Sequence, residues 1–200
     1  MSACLGSVMM PRASHLIAED KESEFNALIQ KSYDFTLAIA LPMTVGLICC
    51  APNLITSLCG VKFENSILPS QIIAPIILMV AISNVFGIQV LFPKGKINIV
   101  TLCCGIGAVV DLVLNLCLIP FFSYVGTSIA YLGAEVATTI SMFFIGRKYL
   151  PITYFKKNHL NYLLGCILMA IVLYAIADLQ FSTISILILQ GCSGIVVYFL

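Results

Sequence analysis

Two acids, Asp111 and Glu135, stand inside apolar stretches where an ionised carboxylate is expensive, and their spacing could support ion or proton chemistry. Insertion scales put an acidic residue at the centre of a membrane helix at up to about 3 kcal/mol, so each is expected to face a bundle interior or a wet cavity. Asp111 precedes Pro120 by nine residues, and Glu135 follows Tyr124 by eleven. At a rise of 1.5 Å per residue they lie ~14 and ~17 Å from a shared hairpin end. Two carboxyls at one depth in a poorly solvated site titrate as a pair, which is what a proton-coupled or cation-coupled step uses. The alternative is that a hydroxyl or amide satisfies each acid separately and the pair only fixes helix rotation.

Helical spacing extends both sites. At ~100° per residue, Thr101, Cys104, Ala108, Asp111 and Asn115 form one polar and small face. On the next segment Ser128, Tyr131, Glu135, Thr138, Thr139 and Met142 share a side. Gly126, Ala130, Ala134, Ala137 and Ser141 share roughly the other, a close-packing stripe of the small-xxx-small kind. Upstream, Ser83, Asn84 and Gln89 either line the same cavity or bond to a neighbouring helix. The candidate substrate or coupling-ion residues are therefore Asp111, Asn115, Tyr131, Glu135, Asn84 and Gln89.

The elements that position these residues are membrane helices. With 60% hydrophobic and 10% charged residues, the composition lies far from the soluble mixture. Apolar runs cover about 35–58, 71–92, 98–120, 124–146, 160–178 and 182–200, each near the ~20 residues that span a hydrocarbon layer. Nine of the ten Lys and Arg residues fall in three alternate gaps. Segments 12–34, 93–97 and 147–158 should accordingly face the cytoplasm. The expected fold is an all-α polytopic bundle of six complete spanning helices plus the end of a preceding one, forming a single partial membrane domain over 1–200.

Segment 12–34 is a short cytoplasmic connector in which Phe25, Leu28, Ile29 and Tyr33 recur at helical spacing, as in a helix lying along the membrane surface. Pro42, Pro52 and Pro75 each remove a backbone hydrogen bond and are candidate kinks or hinges. Residues 1–10 are apolar but reach only ~15 Å as helix, so an upstream continuation is expected, as is truncation or a bare end at Leu200.

Other function classes are disfavoured. A formal charge of +1 offers no nucleic-acid footprint, and no secretory signal precedes the first run. Eight of the nine cysteines lie in or beside apolar runs, with no CxxC and no Cys/His cluster, so no metal site and no cofactor is expected. His15 and His159 sit beside basic or polar residues and are read as interfacial. The outer loops 121–123 and 179–181 are too short for the polar catalytic loop of a membrane transferase, so no catalytic residue is assigned and the chain is not read as an enzyme.

The ordered motifs MMPRASHL, KSYDFTLAIALPMTVGL, NLITSLCG, SNVFGIQVLFPKGK, DLVLNLCLIP and GTSIAYLGAEVATT resemble the later half of bacterial Wzx-type flippases for O-antigen and polysaccharide units, within the multidrug/oligosaccharidyl-lipid/polysaccharide exporter group. The resemblance covers roughly residues 1–150. It implies the second lobe of a two-lobe inner-membrane transporter that flips undecaprenyl-diphosphate-linked oligosaccharide by alternating access. Pro11 and Arg12 match the cytoplasmic end of an early helix of that lobe, with Arg12 a headgroup contact. Gln89, Pro93 and Gly95 match a turn, and Asn115 and Glu135 match polar hairpin positions, whereas Asp111 departs from a position that often carries Asn. The implied partners are the lipid-linked oligosaccharide, membrane lipids, a missing N-terminal lobe and other polysaccharide assembly proteins. Two other readings are a cation-coupled drug or metabolite antiporter of the same group and a non-functional fragment.

Overall fold

A computed structural model describes residues 2–150, 157–177, 189–191, 193, 194 and 198 of the chain. Helix α1 spans Ser2–Ala18, and a turn at Glu19, Asp20 and Lys21 reverses the chain into α2, Glu22–Leu58. Asp20 takes φ 58° there. A short 3-10 turn, Val61–Ser66, leads to α3, Ile67–Ile73, and α4, Ile76–Asn84. A π-helical turn at Val85–Leu91 follows, then α5, Ile97–Gly146, and α6, Lys157–Ala177. The chain is all-α, as its composition implies.

Among the described residues four stretches are long and apolar enough to cross a membrane: Glu22–Leu58, Val61–Leu91, Ile97–Tyr149 and His159–Ile176. The third holds two antiparallel limbs, because Ser123 leaves helical geometry at φ 47°, ψ −125°. These are the hairpin arms expected over 98–120 and 124–146. The apolar run 71–92 is assembled from α3, α4 and the π turn, with Pro75 at the break between α3 and α4. Most of the run expected over 182–200 lies outside the described residues.

The surface helix expected within 12–34 is continuous with the first span. At 37 residues α2 is ~56 Å long, against ~30 Å of hydrocarbon, so its first turns extend beyond the membrane. Glu22 and Glu24 in the first turn complement the helix dipole. The apolar stripe read from the sequence is buried rather than laid on lipid. Phe25, Ile29, Tyr33 and Leu37 pack with Ala13 and Leu16 of α1, Val85, Phe86 and Val90 of the π turn, and Cys103 and Met142 of α5. Lys94 holds this end together: its Nζ donates to the Tyr149 carbonyl at 3.1 Å and lies 5.1 Å from the centre of the Phe25 ring. Lys96 lies 5.1 Å over Tyr149. Two of the lysines that orient the chain also join α2, α5 and the loop between α4 and α5.

Pro42 and Pro52 do not break α2. Each lacks an N–H and leaves the carbonyl four residues earlier without a helical donor. In both cases a distant side chain supplies one. The Tyr198 hydroxyl donates to the Ala38 carbonyl at 2.6 Å, and Gln71 Nε2 donates to the Ile48 carbonyl at 3.0 Å.

Candidate functional site

The two limbs of α5 approach through their glycines. A Cβ on Gly126 would lie 2.7 Å from the Leu118 carbonyl oxygen, and one on Gly133 would lie 2.7 Å from Leu114 Cδ1. A Cβ on Gly107 would fall on the Thr138 hydroxyl. These contacts set the hairpin register, and with it the level of the acids. Asp111 stands one turn beyond Gly107 and Glu135 about one turn before Thr138, so the two acids lie at one level and line the same cavity.

That cavity, of about 490 Å³, lies between α4, the π turn and the two limbs of α5. Asn84, Asp111, Tyr131 and Glu135 line it together with Ser83, Cys104 and Thr138, while Val80, Ile88, Val100 and Met142 supply apolar wall. Four of the six site residues singled out in the sequence are thus brought together. Both acids are half-buried, and among the described residues neither carboxylate has a hydrogen bond or ion pair. Among the lining residues there is no Lys or Arg to pair with a phosphate.

Asn115 and Gln89 are placed elsewhere. The Asn115 amide donates to the Asp111 backbone carbonyl at 2.9 Å within its own helix, and Asn115 does not line the cavity. Gln89 is buried in the π turn, where its Oε1 accepts from the Ser32 hydroxyl of α2. The backbone widens here: the Phe92 N–H donates to the Gly87 carbonyl, five residues back, at 2.9 Å. A wide turn here fits Pro93, whose ring would meet the Gln89 carbonyl in α-helical register. At 100° per residue Gln89 lies about 140° from Asn84, so the two do not share a helical face, and the Ser32 hydroxyl keeps Gln89 on the α2 side.

Thr139, grouped with Glu135 by periodicity, is buried and donates to the Met79 carbonyl at 3.3 Å, joining the second limb of α5 to α4. Thr138 returns its hydroxyl to the Ala134 carbonyl at 2.9 Å, and Ser128 does the same to Tyr124 at 3.2 Å. Arg12 is exposed on α1, on the basic-rich side.

A second cavity, of about 540 Å³, is apolar and lies between α2 and α6, lined by Ile39, Pro42, Gly46, Met169 and Tyr198 among others. Beside it Asp34 Oδ1 stands 3.1 Å from His159 Nε2 and accepts from Gln30 Nε2 at 2.7 Å. His159 was read from the sequence as interfacial. It is buried, with its ring edge-on to Tyr33. Among the described residues no three His, Cys, Asp or Glu side chains gather closely enough to hold a metal ion.

Residues 1–190 match the family described as Lipid II flippase MurJ. The chain belongs to that family. It is a family of transporters and not of enzymes, its members are inner-membrane proteins, and it lies in the same exporter superfamily as the O-antigen type. The chain is also similar to a solved structure, Lipid II flippase MurJ in an inward closed conformation, with a TM-score of 0.80 at 17% identity. The alignment covers 96% of this chain and 41% of that one, so the chain spans less than half of the solved protein's length. At that identity the likeness establishes the fold. No curated protein matches the chain. The resemblance read from the motifs reached the lipid-linked precursor flippases, and the family match places the chain in the MurJ branch.

Proposed function

We propose that this chain acts as one lobe of a flippase that carries lipid II, a lipid-linked peptidoglycan precursor, across the inner membrane by alternating access. The observation that carries the reading is the MurJ family match over residues 1–190. The cavity adds a division of labour. Its carboxylates suit a coupling ion or proton, or the hydroxyls of the cargo, and not a diphosphate, which needs cationic donors. Arg12, exposed on the basic-rich side, is the local candidate for a headgroup contact. The remaining anion clamp then belongs to a first lobe that completes the transporter, with membrane lipids as the surrounding partner.

In this reading Asp111 and Glu135 form the coupling pair, and Tyr131 and Asn84 line the space they share. Neutralising the pair by a proton or cation removes the cost of holding two carboxylates in a half-buried site. That change is available to bias one lobe orientation over the other. Pro42, Pro52 and Pro75 are the positions at which the helices would yield.

An O-antigen unit is the second cargo reading, favoured by the order of the motifs from MMPRASHL to GTSIAYLGAEVATT. Complementation separates the two. The chain joined to a matching first lobe is expressed in cells depleted of their lipid II flippase and, separately, in cells lacking their O-antigen flippase. Growth without lysis in the first supports lipid II, and surface polysaccharide in the second supports the O-antigen unit. Rescue of neither, with the joined protein present in the membrane, refutes both.

A further inference from the structure

The two prolines of α2 share an arrangement that neither their sequence nor transport requires. Pro42 deprives the Ala38 carbonyl of its helical donor and Pro52 deprives the Ile48 carbonyl. Both carbonyls lie in the apolar part of α2, where no water is at hand to pair a free backbone acceptor. Each receives one donor from a different element. Tyr198 reaches Ala38 from the far end of the chain, 160 residues away, and Gln71 reaches Ile48 from α3, 23 residues away. Despite two interior prolines, α2 runs without a break from Glu22 to Leu58.

We infer that Tyr198 and Gln71 are catches on α2: each caps a carbonyl freed by a proline and so keeps the helix continuous at that point. With the donor in place, the freed carbonyl is satisfied within the continuous helix. With the donor withdrawn, the freed carbonyl lowers its energy by tilting outward toward water or another donor, and the helix bends there. The catches therefore tie the shape of α2 to the seating of Tyr198 and of α3. Motion of either is transmitted to α2 at a defined residue. This inference does not depend on which cargo is moved.

The proline is the cause of the exposed carbonyl, so the test removes cause and cap separately. In Pro42→Ala the alanine N–H returns to the Ala38 carbonyl, and the Tyr198 hydroxyl loses its task. The protein is reconstituted in nanodiscs, and hydrogen exchange of residues 42–50 is followed in wild type, Tyr198→Phe, Pro42→Ala and the double variant. We expect exchange ~10-fold faster in Tyr198→Phe, as for an orphaned buried acceptor, and less than ~2-fold faster when the same change is made on Pro42→Ala. Loss of ring packing alone would accelerate exchange equally in both backgrounds, and that equal effect overturns the inference. Gln71→Leu with Pro52→Ala is an independent cycle read over residues 52–58, and it decides the matter should Tyr198→Phe fail to fold. Coupling in that cycle supports the catches, and additivity refutes them.

Discussion

Gly126→Ala should separate the limbs of α5, and the structure sets the size of the effect. An alanine Cβ there would stand 2.7 Å from the Leu118 carbonyl oxygen, 2.8 Å from its carbon and 3.1 Å from the Ile119 nitrogen. Ordinary contact begins at 3.4 Å, so the limbs must part by about 0.7 Å, the difference between 3.4 and 2.7. All three neighbours are backbone, and no rotamer change relieves them. Overpacking of this kind costs about 1–3 kcal/mol. For a chain of this length that is a fall in Tm of about 2–12 °C, measured by thermal unfolding in one detergent at fixed protein concentration. Gly105→Ala is the internal control. Its Cβ would meet nothing within 4 Å, and alanine is the better helix former by up to about 1 kcal/mol, so this variant should melt at or above the wild-type temperature. If Gly126→Ala melts with wild type while Gly105→Ala melts lower, the glycine contacts do not set the hairpin and the shared level of Asp111 and Glu135 needs another cause.

Glu135→Gln in the two-lobe protein should cut complementation at least ~10-fold while leaving membrane abundance unchanged, because the isosteric amide cannot change charge; full activity would remove Glu135 from the coupling pair. Asp34→Asn leaves buried His159 without its carboxylate and should lower stability by about 1–3 kcal/mol, seen as earlier proteolysis at residues 157–177. Unchanged proteolysis would show that α6 is held to α2 by apolar packing alone. The turn between α1 and α2 should respond to acid. A hydrogen bond from Lys21 holds the Glu19 carboxyl below its ordinary 4.5, so its contribution is complete above that value and is lost as pH falls through the lowered one. Glu19 in turn raises the Lys21 ammonium above 10.5, and that part is present below 10.5 and lost as pH rises through the raised value. Amide exchange at residues 19–21 should therefore show excess opening at both extremes, and Glu19→Gln should abolish the acid limb.

Several features were legible in the sequence because they depend on quantities that the chain carries locally. Apolar runs of membrane length mark the spans, since each backbone segment in lipid must satisfy its own hydrogen bonds as a helix. The reversal between Pro120 and Tyr124 and the rise per residue were enough to put Asp111 and Glu135 at one depth, and the cavity contains both. The alanine and glycine stripe of the second limb marked a close-packed face, and Gly126, Ala130 and Ala134 are buried. Which precursor flippases the chain belongs with was less legible, because the motifs are short and apolar and are shared across the exporter superfamily.

Tertiary structure decided what depends on partners far along the chain. Gln89 was expected in the cavity, but the hydrogen bond from the Ser32 hydroxyl holds it against α2. The stripe from Phe25 to Tyr33 suits a helix lying along the membrane surface, but packing against α1, the π turn and α5 buries it against protein. Pro42 and Pro52 announce missing hydrogen bonds in any sequence. Whether a helix bends at such a site depends on whether a donor reaches the freed carbonyl, and here Tyr198 and Gln71 arrive by long-range packing. Periodicity records how each segment divides between lipid and protein, whereas the pairing of individual donors and acceptors is set when the helices dock.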